Sequence, residues 1–86
     1  MSYTVRIASP PTKFLEKLRD QSLLRRLTQS LRNLGENPRP TGSIKLAGPD
    51  ALYRIRVGDY RIIYQIRDSE LLIVVVAIGH RREIYR

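Results

Sequence analysis

The side chains best suited to work on a phosphate lie in the second half of the chain: Arg54, Arg56 and Arg61, then His80, Arg81, Arg82 and Tyr85 near the C-terminus. A guanidinium grips an anionic oxygen through paired N–H donors and keeps its charge at every working pH. His80, the one histidine, is the side chain whose ordinary pKa lies near neutrality, which suits it to proton transfer. A lone histidine makes no metal centre, and with no cysteine in the chain a thiolate nucleophile, a thiolate metal site and a disulfide are all excluded.

These residues act together only if the strands that carry them converge. Leu52 to Val57, Tyr60 to Arg67 and Glu70 to Ile78 read as three strands, joined by Gly58-Asp59 and by Asp68-Ser69, both of tight-hairpin length. Alternation places Tyr53, Ile55 and Val57 on one face and Arg54 and Arg56 on the other. With Gly58-Asp59 as a two-residue turn, Val57 faces Tyr60, Arg56 faces Arg61 and Arg54 faces Ile63. Like charges directly across a strand pair cost up to about 1 kcal/mol, so the arrangement suits an anion site better than scaffolding; the plain alternative is that both side chains splay into water.

With Asp68-Ser69 as the second turn, Arg67 pairs with Glu70 and Tyr60 with Ala77. The last strand then leaves beside the first hairpin's tip, where Gly79-His80-Arg81-Arg82 and Tyr85 join Arg56 and Arg61 in one concave basic site. Tyr3, Tyr53, Tyr60 and Tyr64 read as core or rim residues, three of them sharing the apolar face.

The first half supplies the elements that cover this sheet. Tyr3 to Ile7 alternates as a first strand; Ser9 caps a short helix with Pro10 at its start and Phe14, Leu15 and Leu18 on its apolar side. Asp20 starts a second helix whose Leu23, Leu24, Leu27, Leu31 and Leu34 form one stripe, with Gly35 as its C-cap. Arg25, Arg26 and Arg32 lie off or beside that stripe and read as a solvated face. Glu36 to Gly42, with two prolines and a glycine, is a stiff connector. The fold class is α+β: a single domain over residues 1–86 with an N-terminal strand, two helices and an antiparallel sheet of three or more strands.

Charge narrows the partners. Sixteen Lys and Arg against eight Asp and Glu give +8 and a pI near 10.6, so a polyanion is the natural partner. Leu71 to Ile78, the longest apolar run, is far short of the roughly 20 residues of a membrane helix, and the N-terminus holds no signal-like apolar core. The chain reads as cytoplasmic, with no membrane partner.

Lys45-Leu46-Ala47-Gly48, Tyr53-Arg54-Ile55-Arg56, the run Gly58 to Tyr64 (GDYRIIY) and Gly79 to Tyr85 (GHRREIY) together resemble the RelE/ParE toxins, RelE branch, from the first strand to the C-terminus. The resemblance implies a ribosome-dependent endoribonuclease toxin that cuts messenger RNA in the A site without metal or cofactor. The substrate's own 2′-hydroxyl is the nucleophile and a 2′,3′-cyclic phosphate is the product. It makes Arg61 and Arg81 the phosphate and transition-state arginines and Tyr85 the residue that stacks on or orients the reacting nucleotide. Arg54 and Arg56 replace two lysines of well-known relatives, and since guanidinium hardly deprotonates, neither suits a general base.

Arg56 is therefore counted with the catalytic group as an anion holder, and His80 is its candidate acid or base, packing at the strand end being the alternative. Arg54, Lys45, Arg82 and Arg86 complete the expected RNA contacts. The resemblance also implies an acidic, apolar RelB-like antitoxin. Two other readings stay open: a ParE-like inhibitor of DNA gyrase on the same fold, and a non-catalytic nucleic-acid-binding module.

Overall fold

The computed structural model describes residues 2–80. Its elements are β1 (Thr4–Ile7), α1 (Ser9–Lys17), α2 (Gln21–Glu36), β2 (Ile44–Lys45), β3 (Leu52–Val57), β4 (Tyr60–Arg67) and β5 (Leu72–His80), with a 3-10 turn at Asp68–Glu70. The α+β class and the order strand, two helices, sheet are as the sequence predicts. The sheet has five strands in the order β1-β5-β4-β3-β2 and is mixed, because β1 joins β5 in parallel. The two-residue β2 was not foreseen in the sequence.

Alternation sorts the sheet by face. Ile55 and Val57 of β3, Ile62, Tyr64 and Ile66 of β4, and Ile73, Val75 and Ile78 of β5 pack in one cluster with Leu27, Leu31 and Leu34 of α2. Leu27, Leu34, Ile62, Tyr64, Ile73 and Val75 are fully buried. At about 1.5–3 kcal/mol for each large apolar side chain removed from water, this stripe-on-sheet contact is the main source of stability.

The helix ends show what the local sequence requires. Asp20 Oδ1 accepts from Leu23 N at 3.0 Å and caps α2 as expected. Ser9 does not cap α1: Ala8 holds that position without a side-chain bond, and Ser9 is the first helical residue. A capping side chain accepts from the second or third backbone N–H of a helix, and here those positions are Pro10 and Pro11, which have none. Gly35 is not the C-cap of α2 either, since the helix continues to Glu36 and Asn37 ends it. The glycine serves a close approach instead. Gly35 O accepts from Tyr3 N at 2.7 Å, and a β-carbon on Gly35 would lie 3.1 Å from Tyr3 O.

Two irregularities set the register of β5. The turn after β4 is longer than the Asp68-Ser69 pair: the 3-10 turn is followed by Leu71 in the left-handed region at φ 49, so Arg67 pairs with Leu72 rather than Glu70. Arg67 and Glu70 still form an ion pair within the turn, at 3.8 Å. A β-bulge then falls where Tyr64 faces Val75 but Ile63 faces Ala77, leaving Val76 as the extra residue. His80 consequently pairs with Tyr60, where Ala77 was expected.

The connector is fastened at the far end of β4. Arg39 Nη2 meets Asp68 Oδ2 at 2.9 Å, Tyr3 OH donates to Asp68 Oδ1 at 2.6 Å, and Arg39 Nε donates to Tyr53 OH at 3.2 Å. The Arg39 hydrogen bond, then that of Tyr3, holds the Asp68 carboxyl below its ordinary value of 3.8. A depressed carboxylate adds stability that is present above its unfolded pKa and is lost as pH falls through the folded one. Thermal melts between pH 6 and 2 should therefore show an acid-side loss that Asp68→Asn flattens; parallel pH profiles for the two proteins would rule the clamp out as a contributor. No described helix is long and apolar enough to cross a membrane.

Candidate functional site

The face of the sheet turned away from the helices carries the arginines. Val57 faces Tyr60, Arg56 faces Arg61 and Arg54 faces Ile63, the register required by a two-residue turn at Gly58-Asp59. Gly58 occupies the left-handed region at φ 61, which a hairpin of this length demands and which glycine adopts without a Cβ penalty. Because Ile55, Val57 and Ile62 are held in the core, their alternating neighbours Arg56 and Arg61 are fixed on the opposite side.

The two arginine side chains differ in exposure. Arg61 is half-buried and its Nε is withdrawn from solvent. Arg56 is exposed, and its Nε donates to Gly58 O at 3.0 Å, which draws it toward the hairpin tip. Directly across the sheet from Arg61 stands Gly79 of β5. The ion pairs among the described residues, Arg39 with Asp68 and Arg67 with Glu70, lie at the other end of β4 and do not neutralise Arg56.

The remaining candidates divide. Arg54 shares the arginine face, opposite Ile63 and Ile44. Lys45 pairs with Tyr53 and so takes the face of that tyrosine, not that of Arg54. His80 is not brought onto the arginine face: paired with Tyr60, it shares the helix side, and its ring meets the Tyr60 ring edge-on with centroids 5.5 Å apart. Phe14 of α1 closes the same cluster, 5.9 Å from Tyr60. The expected single site containing His80 is therefore corrected, because the bulge at Val76 reverses the face of every later residue of β5. Arg81, Arg82, Tyr85 and Arg86 lie outside the described residues.

One basic residue is added. Arg26 of α2, read from the sequence as solvated, reaches the hairpin tip, where a β-carbon on Gly58 would lie 3.4 Å from its Nη1 and Nη2. Its position on the helical wheel, beside the leucine stripe, was the one available signal.

The geometry suits an extended anion. The groove next to Arg56, lined by Ser30, Asn33, Pro40, Thr41, Gly42 and Ile55, holds about 250 Å³, below the ~300–1,000 Å³ of sites that enclose small ligands. Among the described residues no group of three His, Cys, Asp or Glu side chains is placed to hold a metal. What the face offers is a row of positive charge along one side of the sheet.

Comparison with known proteins gives consistent relatives. Residues 5–85 match the family of ParE toxins of type II toxin-antitoxin systems (parDE). A protein of Escherichia coli described as a RelE-like toxin is 34% identical over 83 residues, covering 94% of this chain and 85% of that one. Toxin RelG of Mycobacterium tuberculosis is 29% identical over 86 residues, covering 100% and 99%. Among solved structures, the archaeal RelE–RelB complex of Pyrococcus horikoshii superposes with a TM-score of 0.81 at 31% identity, covering 96% of this chain and 99% of that one.

Proposed function

The chain belongs to the RelE/ParE family of type II toxins, where it is RelE-like, and from that premise we propose that it is a ribosome-dependent endoribonuclease. The observation that carries this reading is the arginine row: Arg56 directly opposite Arg61, with Arg54 on the same face. A gripping surface for RNA could spread its charge. Here two arginines stand directly opposite each other on adjacent strands, a pairing suited to the charge of a pentacovalent phosphorane.

In the proposed reaction the 2′-oxygen of a message nucleotide bonds to its 3′-phosphorus and the bond from phosphorus to the 5′-oxygen of the next nucleotide breaks. The 2′-hydroxyl gives up its proton to a general base and the departing 5′-oxygen gains one from a general acid, so a 2′,3′-cyclic phosphate and a 5′-hydroxyl result. Arg61 holds the charge that gathers on the phosphoryl oxygens, with Arg56 beside it. Arg81 and Tyr85 keep the roles the resemblance implies, as transition-state arginine and nucleotide-orienting phenol. His80, packed on Tyr60, takes no proton-transfer role in this scheme. An open groove leaves substrate orientation largely to the ribosome, which lowers the entropic cost of the attack. The partner that restrains the toxin is a RelB-like antitoxin, in keeping with the archaeal relative solved as a RelE–RelB complex.

The family description, which names ParE, favours a second reading, inhibition of DNA gyrase without cleavage. Brief induction in bacteria followed by primer extension separates the two. Cuts inside translated codons that disappear when translation is blocked are expected; growth arrest with intact messages and rising DNA damage would replace the nuclease with the gyrase reading.

A further inference from the structure

The tip of the β3–β4 hairpin receives positive charge from both sides of the sheet. Arg56 arrives from the face away from the helices and donates through Nε to Gly58 O at 3.0 Å. Arg26 arrives from α2 on the helix side and lies against the same glycine, 3.4 Å from where its β-carbon would stand. Gly58 thus separates two guanidiniums, with Arg61 opposite Arg56 one step further along the hairpin. Asp59, the acid at the tip, forms no ion pair with Arg26 or Arg56 among the described residues.

An exposed arginine ordinarily extends into water, where its charge is screened and its entropy retained. Two converging on one glycine is the opposite arrangement. Guanidinium forks favour phosphate oxygens, and two of them meeting at one hairpin tip suit an anion bound across it. We infer that Arg26 and Arg56 form a second phosphate subsite at the hairpin tip, which holds an RNA backbone phosphate next to the one served by Arg61. Since the two arginines rise from opposite sides of the sheet, the bound strand crosses over the tip and does not run along one face. A residue other than glycine at position 58 would strain the turn, which needs its φ of 61.

The subsite rests on the RNA-cleaving reading, and its phosphate could belong to the message or to ribosomal RNA. The test measures binding of labelled parent, Arg26→Ala and Arg26→Lys across a salt series. One arm uses ribosomes carrying a message methylated at its 2′-oxygens, which cannot be cut, and the other uses the same ribosomes without message. Arg26→Ala should weaken binding roughly fivefold at low salt, as for one exposed charge-assisted contact, and lower the salt slope by about one, while Arg26→Lys keeps the slope. A loss confined to the programmed ribosomes assigns the phosphate to the message; a loss in both arms assigns it to ribosomal RNA.

Equal affinity and slope for parent and Arg26→Ala in both arms overturns the subsite. So does a lowered melting temperature with the slope unchanged, which would make Arg26 a brace for the hairpin. If the parent binds neither ribosome preparation, the subsite falls together with the nuclease reading. If an unmethylated message stays intact while the Arg26 effect persists, the nuclease reading fails and the subsite stands.

Discussion

Arg61→Ala is expected to reduce the single-turnover cleavage rate on translating ribosomes by about 100- to 1,000-fold, the usual cost of removing one preorganised donor to a developing anion. Binding of the uncut complex should change far less. The asymmetry follows from placement. Arg61 is half-buried with its Nε out of solvent, and it projects from the second residue of β4, between neighbours locked in the core. A side chain held in this way has little freedom left to lose when the phosphorane forms, so its contribution falls on the transition state and not on the ground state. Arg61→Lys should recover little, because an ammonium on a flexible stem cannot reproduce the planar fork. A cleavage rate for Arg61→Ala within about threefold of the parent would remove Arg61 from the reaction and leave the sheet face as a binding surface only.

The arginine pair was legible in the sequence and the fate of His80 was not, and both outcomes turn on backbone register. Gly58-Asp59 is a strong local signal: a glycine that accepts a left-handed conformation between two alternating runs fixes a two-residue turn, which fixes Arg56 against Arg61. The turn after Arg67 gives no comparable signal. It needs a left-handed residue and uses Leu71, at φ 49, a conformation that costs a branched side chain roughly 1 kcal/mol and that no propensity rule would assign to leucine. The bulge at Val76 is equally silent, lying in the run of Leu71 to Ile78 with no glycine or proline to mark it.

Each irregularity moves the strand only slightly, yet the bulge alone transfers His80 from the arginine face to the helix side. Had alternation continued unbroken from Val75, Ala77 and Gly79 would take the helix side, Ile78 would stand opposite Arg61 and His80 would share the arginine face. Instead Gly79 is the residue opposite Arg61. Arg26 was hidden for another reason: its contact with Gly58 joins α2 to a hairpin more than 30 residues later, and helical periodicity places a side chain on a face without naming what that face meets.

Tyr64→Ala should lower the free energy of unfolding by about 3–5 kcal/mol, as truncating a core aromatic generally does, and for a domain of this size that is a large share of a total near 5–15 kcal/mol. Tyr64 is fully buried in the cluster between α2 and the sheet. Its ring stacks on Tyr53 with centroids 5.9 Å apart, and its hydroxyl donates to Pro38 O at 2.8 Å. The residue therefore joins the core to the connector that leads into β2. Tyr64→Phe keeps the ring but leaves Pro38 O without that donor, at a cost of about 1–2 kcal/mol, and urea denaturation should rank the three proteins parent, phenylalanine, alanine.

Burial pushes the Tyr64 phenol up to about 12. A group raised in the folded state adds stability that is complete below its unfolded pKa, near 10, and is lost as pH rises through the folded value. The parent should thus lose stability between pH 10 and 12 more steeply than Tyr64→Phe. Equal urea midpoints for parent and Tyr64→Ala would mean that the connector and core are not joined through this side chain. A Tyr64→Phe protein that keeps its midpoint within experimental scatter would show the ring, and not the Pro38 hydrogen bond, to be what matters.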